Sequence, residues 1–217
     1  MDSLNIIYED EHIIVLHKPS GIATQTDRVT EPDLYSMVCN HLKGAYVGII
    51  NRLDQPVEGI VLMAKTKAAA ANLSKQLKDN TIEKYYRASV YLGTGSTLSV
   101  SEDFVRLSDH IVFDRKNNMS RICDQSQKDA KYAELEYRII KVSSVSADLD
   151  IKLITGRHHQ IRVQLSGAGM PILGDTKYGT KESISYSRDN GYRSIALCAY
   201  RLKIFHPADG SERFFEI

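Results

Sequence analysis

The chain has almost no charge imbalance: over 217 residues the formal net charge is +1. It is not a polycation, so any nucleic-acid partner must be held by local basic patches and not by overall charge. Cysteine is scarce, with three residues, Cys39, Cys123 and Cys198, odd in number and widely spaced. A disulfide framework is excluded on that count, and a reducing compartment fits. Neither a CxxC pair nor a Cys/His cluster suggests a metal site, and the cysteines read as small apolar packing residues. The N-terminus, Met1-Asp2-Ser3-Leu4-Asn5, has no basic segment followed by an apolar core of the kind that marks a signal peptide. Apolar runs fall short of the roughly 20 residues that cross a bilayer. Internal repeats and low-complexity tracts are missing too, so no linker separates independent domains. The expectation is one cytoplasmic domain spanning 1–217, an enzyme or a binding protein.

What is there is ordinary globular material, 42% hydrophobic and 25% charged. Ile6-Ile7-Tyr8 and Ile13-Ile14-Val15-Leu16, either side of Glu9-Asp10-Glu11, read as a hairpin. Lys18-Pro19-Ser20-Gly21 forces a turn, because proline fixes φ and glycine tolerates positive φ. Leu34, Met37, Val38 and Leu42 have helical spacing. Gly59 to Ala64 reads as a buried strand, and alanine-rich Lys67 to Lys78 as a helix with Leu73 and Leu77 on one face and Asn80 as its stop. Thr81 to Leu92 alternates as a strand carrying Lys84, Tyr85, Tyr86 and Arg87. Residues 93–129, rich in Gly, Ser, Asp and Asn, predict loops and a hairpin around Asp114-Arg115-Lys116-Asn117-Asn118, a solvated loop or an arm gripping an RNA backbone. Strands return at Lys131 to Val142 and Ala147 to Ile154, with a turn at Ser143 to Ser146.

Two stretches carry candidate chemistry. In Asn51-Arg52-Leu53-Asp54-Gln55-Pro56-Val57-Glu58-Gly59, an apolar run delivers an arginine and an aspartate to a turn broken by Pro56 and Gly59. A displayed carboxylate there is available to react with a sugar carbon. It is equally the type of residue that hydrogen-bonds its own turn. In Thr155-Gly156-Arg157-His158-His159-Gln160-Ile161-Arg162-Val163-Gln164-Leu165, a glycine turn leads into a helical pattern that sets His158 and Arg162 four apart on one face. Adjacent histidines cannot converge on one ion from a helix, so the pair does not read as a metal site. The following Gly169-Met170-Pro171-Ile172-Leu173-Gly174-Asp175-Thr176-Lys177-Tyr178-Gly179 reads as a closing loop.

Taken together, Lys18-Pro19-Ser20-Gly21, Arg52-Leu53-Asp54 with Gly59 and Ala64-Lys65-Thr66, Lys84-x-Tyr86-x-Ala88, Thr155-Gly156-Arg157-x-His159-Gln160-Ile161-Arg162, Pro171-Ile172-Leu173-Gly174-Asp175 with Tyr178-Gly179, and Leu202 with His206-Pro207 resemble the RluA-type pseudouridine synthases in order and spacing. The likeness runs from about residue 5 to the C-terminus. Asn51 and Pro56-Val57-Glu58 depart from the family's His before Arg-Leu-Asp and its Thr-Ser pair before glycine. The small N-terminal RNA-binding domain of many relatives is not expected here.

The resemblance implies an α+β fold: a long, mostly antiparallel mixed sheet, bent into two lobes and flanked by helices, with the active cleft between the lobes. It implies an isomerase that detaches a uridine base, turns it and rejoins it through carbon, with no cofactor and no metal. The substrate would be a stem-loop of ribosomal or transfer RNA bound by a monomer, not DNA and not a membrane. The target nucleotide must be flipped out of its stack. By resemblance Asp54 is the catalytic carboxylate, attacking the sugar or removing a ribose proton. Arg162 would pair with it and favour its charged form, and Tyr86 would stack on the flipped base. Leu153 would pack on the base, and Arg52 and Arg157 would meet phosphate or the displaced strand, or form structural ion pairs. Lys18, Lys65, Lys84 and Lys177 are weaker phosphate candidates.

Two alternatives stay open at this level: an RNA-binding or assembly factor of the same fold without catalysis, and a hydrolase in which Glu58 serves as a second carboxylate. The isomerase reading carries a direct expectation. Pseudouridine formation is insensitive to a strong chelator and to thiol blocking at Cys39, Cys123 and Cys198; turnover lost on chelation and restored by one particular ion contradicts it.

Overall fold

The computed structural model describes residues 4–28, 31–95 and 97–217. In chain order the elements are β1 Ile6–Glu9, β2 Ile13–Lys18, α1 Leu34–His41, β3 Gly48–Ile49, β4 Glu58–Ala64, α2 Lys67–Lys78, β5 Glu83–Tyr91, β6 Val105–Asp114, β7 Met119–Cys123, β8 Lys131–Val142, β9 Ser146–Leu153, α3 Gln160–Gly167, α4 Lys181–Asp189, β10 Leu197–Phe205 and β11 Glu212–Glu216. Strand pairing is mostly antiparallel, with β10 parallel to β4, and the class is mixed α+β, as expected. The chain divides into two compact units, one made of residues 1–84 and 198–217, the other of 85–197.

In the first unit β2 pairs antiparallel with β1 and with β4, and β3 lies antiparallel to the end of β4. The C-terminal β10 runs parallel to the start of β4, and β11 closes antiparallel on β10. α2 packs Ala69 and Leu73 against Ile13, Val15, Ile60, Leu62, Leu202 and Ile204, a shared core that removes these side chains from water. Its boundaries are local chemistry. Thr66 accepts a hydrogen bond from the Ala69 N–H at 3.1 Å, and Asn80, just past the end, adopts φ 54°. At Gly59, φ is +135°, and a Cβ would come within 2.5 Å of the Ala199 backbone, so only glycine allows β10 to lie beside β4.

In the second unit β9, β8, β6 and β7 form an antiparallel run in that order, with β5 beside β9. Residues 93–129 were expected to form loops and a hairpin around Asp114–Asn118; the hairpin is present, with β6 and β7 as its arms, and the ten-residue β6 extends well beyond the turn. Of its side chains Ile111 is buried and Leu107 and Val112 are half-buried; the alternation of Val105, Leu107, Ile111 and Phe113 is broken at Asp109, and backbone pairing with β8 carries the strand through it. The helix expected to include His158 begins two residues later, at Gln160. His159 precedes it in the left-handed region, at φ 53° and ψ 24°. α4 was not anticipated, since its sequence, KESISYSRD, buries only Ser183 and Ser187. Its cap was legible: Thr180 accepts from the Ser183 N–H at 3.1 Å.

One polar knot ties both ends of the first unit. Asp10 accepts the N–H groups of His12 and Ile13 at 2.7 and 2.8 Å, the Tyr8 hydroxyl at 2.9 Å, and the His206 Nε2 at 2.8 Å. Burial pushes this carboxyl up, but the Ile13 and His12 amides, with Tyr8 and His206, outweigh it and hold the pKa at about 2. The folded state thus binds its proton less readily than the unfolded chain. The stabilisation is complete above about pH 4 and is lost as pH falls towards 2. Asp10→Asn should cost about 2 kcal/mol at pH 7, with the difference from wild type shrinking as the acid limb is entered. Urea unfolding of both proteins from pH 7 to pH 2 measures this; equal stability at pH 7 refutes it.

Candidate active site

In the first unit the site is built around the turn Leu53–Pro56. Four side or main chains from the Lys18–Thr24 segment hold it. Thr24 Oγ1 donates to the Leu53 carbonyl at 2.9 Å and accepts the Leu53 N–H at 3.0 Å. The Gly21 N–H reaches the Gln55 carbonyl at 2.9 Å, and Ser20 Oγ donates to the Pro56 carbonyl at 2.8 Å. Lys18 Nζ, with no exposed surface, donates to the carbonyls of Pro19, Ile22 and Gln55 at 3.0, 2.7 and 3.2 Å. The Asp54 carbonyl accepts the Val57 N–H at 3.0 Å, closing the turn, and the Asp54 side chain is half-buried.

The lysine was read from sequence as a phosphate candidate. That is corrected: a fully buried ammonium bonded to three carbonyls is not presented to a ligand. Burial drives its pKa down to about 8, against the opposing pull of Asp54 and Glu58. It is a fixed positive charge within the electrostatic reach of the displayed carboxylate. Lys65 is likewise occupied internally, by Glu9 Oε1 at 2.7 Å and the Asp10 carbonyl at 2.5 Å.

The residues that depart from the family pattern have structural partners. Asn51 extends the β4 ladder, donating to the Ile60 carbonyl at 3.0 Å and accepting the Leu62 N–H at 2.7 Å. Glu58 Oε1 is held by His17 Nε2 at 2.8 Å. Arg52 is exposed and donates to Gln25 Oε1 at 2.8 Å, which leaves its guanidinium at the surface of the turn.

In the second unit Arg162 is 6% exposed, on the first turn of α3. Its Nε and Nη2 donate to Asp175 Oδ2 and Oδ1, both at 2.8 Å, a planar two-point pairing. Asp175 also accepts the N–H groups of Lys177 and Tyr178. Its burial raises the carboxyl pKa, but the Arg162 guanidinium and those amides prevail and lower it. The Tyr178 ring lies beneath the guanidinium, 5.1 Å from centroid to Cζ. Asp175 and Tyr178, read from sequence as parts of a closing loop, are thus direct neighbours of the arginine. The signal that could have found them is a lone carboxylate and aromatic set three apart among small residues.

Tyr86 is buried in β5, and Leu153 ends β9 at 8% exposure. Arg157 is exposed, with Nε on the Tyr132 carbonyl at 2.8 Å. Lys177 Nζ binds the Asn118 carbonyl at 2.7 Å, fastening the β6–β7 turn to the Asp175 loop. Among the described residues, no group of three His, Cys, Asp or Glu side chains could hold a metal ion.

Residues 12–167 match the family described as RNA pseudouridylate synthase. The chain is 32% identical over 216 residues to the dual-specificity RNA pseudouridine synthase RluA of Salmonella typhi, covering 99% of this chain and 92% of that protein. It is 28% identical to the ribosomal large subunit pseudouridine synthase C of Vibrio vulnificus, covering 94% of this chain and 62% of the relative. Among solved structures, human RNA pseudouridylate synthase domain containing 1 superposes with a TM-score of 0.77 at 21% identity, covering 99% of this chain and 83% of that one, a likeness of fold.

The buried lysine yields a measurable signature. Between about pH 8 and the ordinary lysine value of about 10.4, the unfolded chain keeps the Lys18 proton that the folded chain has shed, so this group makes stability rise with pH. Lys18→Met abolishes that component and leaves three carbonyls without a donor. The expected result is a variant less stable at pH 7 whose deficit widens by about 3 kcal/mol towards pH 10.5. Chemical denaturation across that range is the measurement, and a deficit that does not change with pH overturns the assignment.

Proposed function

The chain belongs to the RNA pseudouridylate synthase family, and from that premise we propose how its own residues carry the reaction. It is an isomerase that converts uridine to pseudouridine in RNA. In our reading the carboxylate that acts on the flipped nucleotide is Asp54. The observation that carries this is the clamp on its turn: every backbone carbonyl from Leu53 to Pro56 is engaged, three of the four by Thr24, Ser20, Gly21 or Lys18. A carboxylate on so constrained a turn is pre-positioned, with little reorganisation left for the reaction step.

Tyr86 supplies the ring that stacks on the extruded base, Leu153 an apolar contact to it, and Arg162 a delocalised positive charge. Arg162 being locked by Asp175 and Tyr178 supports a role that needs a fixed guanidinium. Arg52 and Arg157, both exposed, suit phosphate or the displaced strand. Asp54 either attacks the ribose carbon or removes a ribose proton, and both routes need the ionised form. We take residues 1–217 as one catalytic domain acting as a monomer in the cytoplasm on a stem-loop of ribosomal or transfer RNA, with no part played by DNA or a membrane. Among the described residues no helix is long and apolar enough to cross a membrane.

Asp54→Asn separates chemistry from binding, since it keeps the side-chain volume and removes the charge. Pseudouridine formation should fall by at least about 10³-fold, while RNA affinity stays within about twofold of wild type and the melting temperature changes little. Pseudouridine mapping, filter binding and calorimetry on the purified variant test this. Turnover near the wild-type level would remove Asp54 from the mechanism.

A further inference from the structure

Phe113 of the β6–β7 hairpin, to which the reaction assigns no role, is the outer end of a column of rings. Phe113 stacks on His158 with centroids 4.0 Å apart, and His158 stacks on His159 at 3.7 Å; the ring planes tilt by 39° and 31°. The inner end is closed by Tyr178, which stands edge-on to His159 at 5.5 Å and 86°. The outer end is Phe113, 41% exposed.

Register and hydrogen bonds hold the column. Phe113 lies directly across from Ser120, so both side chains share one face of the hairpin. Ser120 Oγ donates to the His158 carbonyl at 2.7 Å and lies 3.0 Å from His158 Nδ1. With the hydroxyl proton given to the carbonyl, Nδ1–H is the donor in the second contact. The Ser120 N–H reaches the Tyr178 hydroxyl at 2.7 Å, and that hydroxyl is 2.8 Å from His159 Nδ1. The hairpin turn itself is braced by Asp114, which accepts from the Lys116 and Asn117 amides at 2.9 and 3.3 Å and from Asn117 Nδ2 at 2.7 Å. The exposed cations Arg115 and Lys116 sit on that braced turn, two and three residues on from Phe113.

We propose that the open face of Phe113 is a stacking platform for an unpaired base of the RNA, with Arg115 and Lys116 meeting the phosphates that flank it. The proposal rests on the RNA-modifying reading above and adds a contact that reading does not contain. A nucleobase extends the column, because any base offers a π-face of matching size, and exposed aromatics beside cations are how single-stranded segments are held. A polar partner gains nothing from the ring, and a purely anionic one gains only from the two cations.

The chain contains no tryptophan, so Phe113→Trp introduces a single indole at the open face. Its emission should be quenched on titration with an RNA stem-loop whose loop holds unpaired uridines, with the same midpoint as binding followed by anisotropy of labelled RNA. A fully paired RNA of equal length should quench much less, and heparin, a polyanion without bases, should not quench at all. Phe113→Ala should weaken stem-loop binding about tenfold with the melting temperature nearly unchanged. Stem-loop binding without quenching, equal quenching by duplex or heparin, or wild-type affinity in Phe113→Ala overturns the platform. None of these readouts requires pseudouridine to form. An inactive protein that still quenches therefore retains the platform and loses only the chemistry, whereas a wild-type chain that binds no RNA refutes both.

Discussion

A single ammonium group buried where water cannot reach it organises the turn on which Asp54 sits. An unpaired cation in such a place would be prohibitive. Lys18 is tolerated because the carbonyls of Pro19, Ile22 and Gln55 surround its nitrogen and because Asp54 and Glu58 are near enough to oppose the loss of charge. The consequence is geometric as well as electrostatic. Two segments more than thirty residues apart in sequence, the Lys18-Pro19-Ser20-Gly21 turn and the Asp54 turn, become one rigid object. Moving one away from the other costs the cation its Gln55 acceptor.

The second unit solves a similar problem with a different cation. Arg162 is nearly as buried, but its planar guanidinium needs edge partners and a face partner. Asp175 takes the edge in two parallel bonds, and Tyr178 takes the face. Lysine, a point charge with three donors, suits a cage of carbonyls; arginine suits a carboxylate and a ring. His159 supports the same assembly. Its backbone lies at positive φ, which few non-glycine residues adopt, and its ring is bonded to Tyr178 and stacked on His158. That conformation is held by the surrounding contacts and places the histidines outside the helix, beside the hairpin.

The hairpin and the arginine are consequently joined. Ser120 bonds His158 and Tyr178, Lys177 bonds the Asn118 carbonyl, and Tyr178 lies under Arg162. The hairpin thus shares its contacts with the residues that hold the guanidinium.

Sequence alone determined the features whose causes are local. α2 lies between Thr66, its N-cap, and Asn80, the left-handed residue just past its end, and β4, β8 and β9 follow runs of apolar or alternating residues. The ordered motifs were enough to indicate the family. Tertiary structure decided whatever depends on partners distant in the chain. β6 continues unbroken through Ser108-Asp109-His110 because β8 supplies its hydrogen bonds there. Lys18 is a buried brace and not a surface charge, since burial is a property of the surrounding fold and lysine's composition says nothing of it. Asp175 and Tyr178 become the partners of Arg162 only when the loop after α3 folds back. Phe113 meets His158 only through the register of β6 on β7, which spacing along the chain does not encode.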